Sequence, residues 1–279
     1  MESISEKKYK LTEESITFNG RKLYRIESVR DFGNVKKGQK GGFVETESNL
    51  SHDGNAWVSD NAMVFGNALV YGNACISDNA RISSNAMVYG NAWIYGKAMV
   101  CCNARVFGNA KVSGKTKVSG NARVFGNTLV YCNACISDNA SVFCDANVSG
   151  NAKVSGNAKI CDTARVYENA NVSGNAKVSG YAKVSGYAKV SGDTNVSGYA
   201  KISGDANVCG EEDYIVFKNW WSGHIYFTWT RSNNMWRVGC FYGTGEELIK
   251  KAYKDSEKSA IEYERIVKYV ESILSDNKK

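Results

Sequence analysis

The sequence predicts an all-β solenoid, a parallel β-helix, on three observations. A small residue, Ala or Thr, recurs at every sixth position from Ala56 to Ala206, and these 26 repeats contain no insertion. Val or Ile follows two residues later in every repeat, which is the in-and-out alternation of a β-strand. Aromatic residues recur at every eighteenth position, which indicates three repeats per coil: Tyr71, Tyr89, Phe107, Phe125 and Phe143. Such short strands bury their inward residues only when coils stack on one another.

Each repeat is interpreted as a short strand followed by a corner. The typical repeat is A-x-V-s-G-N, in which the small and aliphatic residues point inward and the residues x and s point outward. Gly and Asn most readily adopt left-handed backbone conformations, so we expect both to form the corner. With roughly 4.8 Å between stacked strands, the repeats make about 8–9 coils and a rod on the order of 40 Å long.

The chain is predicted to have three parts. Residues 1–54 form an N-terminal β cap, in which Asn19-Gly20 predicts the turn of a hairpin. Gly38, Gly41 and Gly42 then lead irregularly into the repeats, which span residues 55–210. Caps of this kind protect the open ends of a solenoid.

Residues 211–279 are predicted to form a small α+β module. Three aromatic-rich segments alternate like strands, and we expect most of their aromatic residues to form a core. A ligand pocket between this module and the rod is the alternative. Thr244 and Glu247 then have the spacing of a capping box that opens a helix. A second amphipathic helix follows, because apolar residues recur at helical spacing between Tyr263 and Leu274.

Composition predicts a cytoplasmic protein with free thiols. No segment approaches the 18 apolar residues of a transmembrane helix, and the start "MESISEKKYKLTEESI" lacks the apolar region of a signal peptide. Nine cysteines are an odd number without the spacing of a disulfide scaffold, which favours a reducing compartment. Cys132 and Cys135 form C-x-x-C, but no second pair or histidine follows at ligand distance. We therefore predict no metal and no cofactor.

The repeat "VSGNAKVSGNAKI" at residues 148–160 resembles the hexapeptide repeat of left-handed β-helix proteins. The resemblance covers residues 55–210 and is what implies a left-handed coil. Two flanking segments look like the ends of bacterial and phage repeat proteins of the YdcK type: "LYRIESVRDFGNVKKGQKGGFVETESNLSHDGNAWV" and "VGCFYGTGEELIKKA". That group has no settled activity, so the resemblance implies an architecture and a bacterial or phage setting.

The resemblance also raises an enzymatic alternative, because many left-handed β-helix proteins are acyltransferases. Those enzymes use a histidine from the coils as general base, usually beside a loop that projects from them. This chain has only His52 and His224, neither of which lies in a regular repeat, and the repeats contain no inserted loop. We therefore predict no catalytic residue; His52, beside Asp53, is the candidate base if the protein is an enzyme.

The outward residues change from apolar to basic along the rod. Between residues 105 and 205 there are twelve Lys or Arg and six Asp or Glu. The lysines occur on all three faces and aromatic residues are not interleaved with them, so we expect them to keep the long sheets soluble. A surface for nucleic acid or another polyanion is the alternative.

The apolar half predicts an interface. An outward apolar patch of this size favours self-association, and related β-helices often form trimers; stacking of the aromatic rings on one another is the alternative. The expected interface or binding residues are Tyr71, Tyr89, Phe107, Phe125, Phe143, Arg105, Arg123, Trp57 and Trp93.

The sequence thus predicts a non-enzymatic, rigid scaffold that forms a homo-oligomer, expected to be a trimer, and binds a partner or ligand. Two alternatives stay open. One is a phage-type anti-defence or sequestering protein that binds a nucleotide-like ligand or a host protein. The other is an acyltransferase-like enzyme. Clefts between subunits with aromatic and arginine walls would suit a nucleotide-like ligand.

Overall fold

The computed structural model describes residues 7–219 and 225–276. Its main feature is a rod in which every repeat contributes one two-residue strand to a parallel β-sheet. Each strand pairs with the strand 18 residues further on, as Val106 does with Val124. Three repeats therefore make one coil, and the predicted parallel β-helix is confirmed with about nine coils.

The rod has three faces, which we number in chain order. Face 1 carries Trp57–Val58, Cys75–Ile76, Trp93–Ile94, Lys111–Val112, Leu129–Val130, Asn147–Val148, Arg165–Val166, Lys183–Val184 and Lys201–Ile202. Face 2 carries Met63–Val64, Arg81–Ile82, Met99–Val100, Lys117–Val118, Cys135–Ile136, Lys153–Val154, Asn171–Val172, Lys189–Val190 and Asn207–Val208. Face 3 carries Leu69–Val70, Met87–Val88, Arg105–Val106, Arg123–Val124, Ser141–Val142, Lys159–Ile160, Lys177–Val178 and Asn195–Val196.

The interior is formed by the small and the aliphatic residue of each repeat, and nearly all of these side chains are fully buried. The three threonines that replace alanine keep their hydroxyl groups satisfied. Thr116 donates to the carbonyl of Ser113 at 2.6 Å, and Thr194 donates to that of Ser191 at 2.8 Å. A buried hydroxyl costs little when it is hydrogen-bonded, which explains why Thr is accepted there.

The corners differ from the prediction in one respect. The Gly position is left-handed in every repeat before the last, also where it holds another residue: φ is 71° at Gly96, 58° at Asp78 and 64° at Cys132. Gly210, after the last strand, has an extended φ of −139°. The repeat asparagines are not left-handed. Their side-chain amides instead hydrogen-bond to the Asn one coil further on, as Asn73 Nδ2 does to Asn91 Oδ1 at 3.1 Å. The expectation of a left-handed Asn is wrong because Asn forms side-chain ladders along the rod.

The N-terminal cap is built from three strands and a short 3₁₀ helix: Tyr9–Phe18, Arg21–Ser28, Lys40–Val44 and Glu47–Asn49. The first two strands form the predicted hairpin, and both turn residues are left-handed, with φ of 48° at Asn19 and 75° at Gly20. This pair of angles is typical of the type I′ turn.

The segment after the hairpin begins with turns, as expected for Gly38, but Gly41 and Gly42 lie in a regular strand, Lys40–Val44, which the sequence analysis did not predict. The third strand pairs antiparallel with the hairpin and parallel with Met63–Val64, so the cap extends the sheet of face 2. Glycine is required because the backbone passes close to the first coil. A Cβ atom on Gly42 would lie 2.6 Å from the carbonyl oxygen of Ala62.

The C-terminal module is an antiparallel sheet of four strands followed by two helices: Tyr214–Lys218, Tyr226–Thr230, Met235–Val238, Phe241–Gly243, α1 at Gly245–Asp255 and α2 at Glu257–Asp276. A 3₁₀ turn at Glu211–Asp213 joins it to the rod. The predicted capping box is present, since Thr244 Oγ1 accepts from the Glu247 amide at 3.2 Å. The module adds a fourth strand to the three that the sequence predicts.

The module closes the last coil of the rod through hydrogen bonds to its free backbone amides. The Lys201 amide donates to Thr228 Oγ1 at 3.0 Å, and the Asn207 amide donates to Ser232 Oγ at 2.7 Å. Unpaired strand edges invite further strand addition, so these contacts give the module the role of a cap.

Candidate ligand-binding face

The predicted aromatic column on face 3 is a continuous stack. Neighbouring ring centroids are 4.8 Å apart from Tyr71 through Phe125 and 5.2 Å apart between Phe125 and Phe143, with interplanar angles of 7° or less. All five side chains are half-buried. Because the rings cover one another's faces, mainly their edges remain open to a partner.

Arg105 and Arg123 lie beside this column as predicted. They pair in register on adjacent strands, and both side chains are exposed. Among the described residues neither arginine forms an ion pair.

Face 1 carries aromatic residues in a different arrangement. Tyr95, Tyr131 and Tyr167 follow its strands in every second coil, and serine takes the same place in the coils between them. Tyr95 and Tyr131 are each 37% exposed, and Trp93 is 52% exposed with the Lys111 ammonium 5.4 Å from its ring centroid. These rings therefore keep open faces.

The C-terminal end of face 1 forms a cleft against the module, which we call the junction cleft. Tyr181, Tyr199 and Tyr226 stack along one wall, with ring centroids 4.9 Å and 4.2 Å apart. The cleft has a volume of about 560 Å³, a size typical of small-molecule sites. Its lining consists of Thr163, Arg165, Tyr181, Lys183, Tyr199, Lys201, Ile225, Tyr226 and Gly239.

The junction cleft is strongly cationic. Arg165, Lys183 and Lys201 pair in register on three adjacent strands, so their charges are stacked along the rod. Burial lowers the pKa of Lys201, and the nearby charges of Lys183 and Arg237 lower it further. Within the described ranges none of these four cations has a carboxylate ion-pair partner. Lys201 Nζ donates to the Gly239 carbonyl at 3.4 Å, which leaves its charge uncompensated.

Sequence comparison agrees with this architecture. The family model for the YdcK beta solenoid repeat matches residues 56–72 and 80–96. Together with the parallel coils of the rod, this match supports a β-helix repeat protein of the YdcK type. Each matched segment spans three strands, one on each face, which is one coil of the rod. No curated protein matches the chain at a significant level.

Trp57 does not have the surface position that the repeat pattern predicts. It is only 5% exposed, because Tyr9 and Phe32 of the N-terminal cap pack edge-on against its ring at 6.5 Å and 5.5 Å. The prediction of Trp57 as an interface residue is therefore wrong: the cap covers it. Trp93, two coils further on, remains exposed.

His52 is held inside the N-terminal cap. Its ring stacks on Tyr9 at 4.4 Å, and Nδ1 accepts a hydrogen bond from the Lys8 amide at 3.3 Å. Nε2 is enclosed without a hydrogen-bond partner among the described residues, and burial lowers the pKa of His52. A general base must reach a substrate proton, and neither nitrogen opens onto a cleft. His224 lies outside the described residues.

The sequence-based interpretation left a ligand pocket between the module and the rod open as an alternative, but it assigned no residue to that pocket. The expectation that aromatic residues are not interleaved with cations is wrong on face 1, where Tyr131, Arg165, Tyr167 and Lys183 line one hollow. The 18-residue alignment places Tyr131 and Tyr167 in one column, but the column of cations beside it, Arg165 and Lys183, was not compared with those tyrosines. The remaining wall, Tyr226 and Gly239, comes from the module, whose position against the rod no repeat pattern encodes.

Among the described residues no helix is long and apolar enough to cross a membrane. Within the same part of the chain, no group of three or more His, Cys, Asp or Glu residues is placed to hold a metal ion.

Proposed function

We propose that the protein is a non-enzymatic, rigid scaffold that binds a nucleotide-like ligand in the junction cleft. The observation that carries this proposal is the stack of Arg165, Lys183 and Lys201 beside the stack of tyrosine rings. Like charges roughly 4.8 Å apart repel one another, and this repulsion is relieved when phosphate groups bind.

The two walls of the cleft supply the two kinds of contact that a nucleotide needs. Tyr199 is sandwiched between Tyr181 and Tyr226, so the outer face of Tyr181, which is 57% exposed, is the platform on which a flat base can stack. Lysine and arginine side chains bind phosphate oxygens by charge-assisted hydrogen bonds. The cleft therefore favours an anion that carries an aromatic ring over a simple inorganic anion.

The composition of the lining supports binding without turnover. The side chains that line the cleft are Thr, Arg, Lys, Tyr and Ile, with neither a carboxylate nor a histidine among the described lining residues. General acid–base catalysis near neutral pH most often uses a histidine or a carboxylate. His52 lies in the cap at the opposite end of the rod.

Isothermal titration with ADP and ATP tests this proposal. We expect binding that weakens about tenfold, or roughly 1.4 kcal/mol, in Lys183→Ala and in Tyr199→Ala. Lys189→Ala is the matched control, because Lys189 is exposed on face 2 in the same coil. Equal affinity in Lys183→Ala and Lys189→Ala would refute the site. Chromatography of the recovered nucleotides should show them unchanged; conversion would place the protein among enzymes.

We also propose self-association through face 3, as a homotrimer. The supporting observation is that the aromatic column lies beside the apolar outward residues Leu69 and Met87 and the exposed Arg105 and Arg123. The occupant of this surface would be another copy of the rod, because identical subunits close into a ring when face 3 of each one packs against an adjoining surface of the next.

Sedimentation of the double variant Phe107→Ser, Phe125→Ser tests the oligomer. Serine is the residue that the repeat most often carries at this position, so the coil itself should still form. Buried aromatic anchors dominate association energies, at roughly 2 kcal/mol or more each, and we therefore expect a smaller particle. A variant that sediments like the parent would show that the column only stacks on itself.

A further inference from the structure

We infer that face 1 is a track for single-stranded nucleic acid that ends in the junction cleft. The inference rests on the proposed function, because it assigns the ligand class of that cleft and extends the site along the rod. Its first support is the distribution of exposed apolar side chains. Most of those on the described rod lie on face 1 or at the corner that leads into it: Trp93, Tyr95, Leu129, Tyr131, Tyr181 and Tyr199. Met99 and Tyr187 lie on face 2 or at the corner that leads into it.

The second support is the spacing of the tyrosines. Tyr131 and Tyr167 are two coils apart with Ser149 between them, so their rings stand about 9.6 Å apart, twice the strand spacing. Rings one coil apart on face 3 stack at 4.8 Å. A gap of two coils therefore has room for one flat ring that stacks on both tyrosines. The hollow between them has a volume of about 200 Å³.

The third support is the polar lining of that hollow. Asn147 lies on its floor, and its side-chain amide can hydrogen-bond to the edge of a base. Arg165 and Lys183 border the same hollow and continue into the junction cleft. A base between two tyrosines would thus place its phosphate beside cations that belong to both sites.

A similar hollow lies nearer the N-terminus. Trp93, Tyr95 and Lys111 line it together with Asp78, and its volume is about 360 Å³. The Asp78 carboxylate accepts a hydrogen bond from the Gly96 amide at 2.8 Å, so part of its charge is used within the corner. Face 1 therefore repeats one combination, an open aromatic ring beside a cation, from Trp93 to Lys201.

The chemistry of this combination favours single strands over duplexes. Base stacking on aromatic side chains with cations along the backbone is how proteins bind single-stranded nucleic acid without sequence preference. The bases of a duplex are already stacked, so their faces cannot reach the tyrosines. From Trp93 to Lys201 the track spans six coil steps, or about 29 Å.

Fluorescence anisotropy with labelled oligothymidylates of about 3 to 20 nucleotides tests the track, since known site sizes are roughly 4–16 nucleotides. We expect affinity to rise with length until face 1 is filled. Tyr131→Ser should weaken binding of the longer oligonucleotides by about tenfold or more and leave ADP binding in the junction cleft unchanged. Serine already occupies the equivalent position in the neighbouring coils, so folding is preserved. Met99→Ala, an exposed apolar residue on face 2, is the matched control.

The possible results separate the track from the cleft. Oligonucleotides that bind no tighter than ADP, with no effect of Tyr131→Ser, overturn the track and leave the proposed function standing. If neither ADP nor the oligonucleotides bind, the track and the proposed function are both overturned. Duplex binding as tight as single-strand binding would mean charge attraction alone and overturns the track. Dissociation of a dimer by Tyr131→Ser would show that a second copy covers face 1, which also overturns it.

Discussion

Faces 1 and 3 belong to the same rod and are built from the same repeat, but their aromatic residues are spaced differently. On face 3 the rings recur in every coil, and each ring covers its neighbours at 4.8 Å. On face 1 Tyr95, Tyr131 and Tyr167 recur in every second coil, and serine separates them. Aromatic residues that recur every 18 residues therefore cover one another's ring faces, whereas those that recur every 36 residues leave their ring faces open to a ligand.

The physical reason is that the strand spacing of a β-solenoid is close to the stacking distance of aromatic rings. Rings in adjacent coils need no adjustment to stack, so they stabilise the rod. When one coil is skipped, the gap is too wide for direct contact and about right for an inserted ring. The same substitution, serine for an aromatic residue, thus changes a structural column into a binding surface.

The largest expected effect tests whether both faces enclose one core. Val124 is fully buried behind face 3, and Val124→Asp places a carboxylate where no water reaches it. Burying an unpaired charge costs several kcal/mol or more, a large part of the stability of a typical domain. We expect loss of cooperative folding in a thermal melt monitored by circular dichroism. Arg123→Ala, one residue away and exposed, is the control, and an unchanged midpoint for Val124→Asp would contradict the coil arrangement.

The next prediction compares how much the aromatic residues of each face contribute to the free energy of unfolding. Phe107→Ser, Phe125→Ser on face 3 removes three ring–ring contacts, each worth about 0.5–1.5 kcal/mol, so we expect a loss of roughly 2–4 kcal/mol in chemical denaturation. Tyr131→Ser on face 1 breaks no ring–ring contact with Tyr95 or Tyr167 and should cost less than about 1 kcal/mol. Equal losses for the two variants would remove the distinction between the faces.

Replacing a serine of face 1 by tyrosine should raise the free energy of unfolding. Ser149→Tyr fills the skipped coil between Tyr131 and Tyr167 and gives face 1 a short stack like that of face 3. Two new ring contacts should add about 1–2 kcal/mol to the free energy of unfolding. The same variant should bind oligothymidylate more weakly, because the gap is closed. Higher stability with unchanged oligonucleotide binding would mean that bases do not enter this hollow.

The smallest effect concerns the charges of the junction cleft. Burial and the charges of Lys183 and Arg237 lower the pKa of Lys201, so its cation costs stability below that pKa. The cost is relieved as pH rises from the lowered pKa toward the ordinary value of about 10.5, because the native state releases the proton first. We expect unfolding free energy to rise over this window in the parent and to rise less in Lys201→Met. Lys8 in the N-terminal cap, whose pKa burial lowers to about 8, contributes the same rise to both proteins. If the free energies of unfolding of the parent and of Lys201→Met rise equally with pH, the native state does not destabilise the Lys201 cation.

Much of the fold follows from the sequence because every repeat carries the same pattern of inward residues, outward residues and corner residues. The in-and-out alternation predicted the buried valines, the 18-residue period predicted the stacked coils, and Asn19-Gly20 predicted the hairpin turn. Left-handedness of the coil rests on the resemblance and stays a prediction. The role of the repeat asparagines was not predicted, because a side-chain ladder depends on the neighbouring coil and not on the residue's own backbone preference.

The candidate site was harder to predict from the sequence. Trp57 follows the outward pattern of the repeat, but residues 25 to 48 positions earlier in the chain fold over it. Tyr226 reaches the stack of Tyr199 only because the module packs on the last coil. Contacts between a repeat and a non-repeating cap have no period, so pattern analysis does not find them.

The central claim, that the open rings of face 1 bind nucleic acid and the stacked rings of face 3 do not, is tested most directly by ultraviolet cross-linking of bound oligothymidylate followed by mass spectrometry of the peptides. We expect cross-links to Tyr131, Tyr167 and Tyr181 that disappear when excess unlabelled oligonucleotide competes. Cross-links confined to the column from Tyr71 to Phe143 would contradict it.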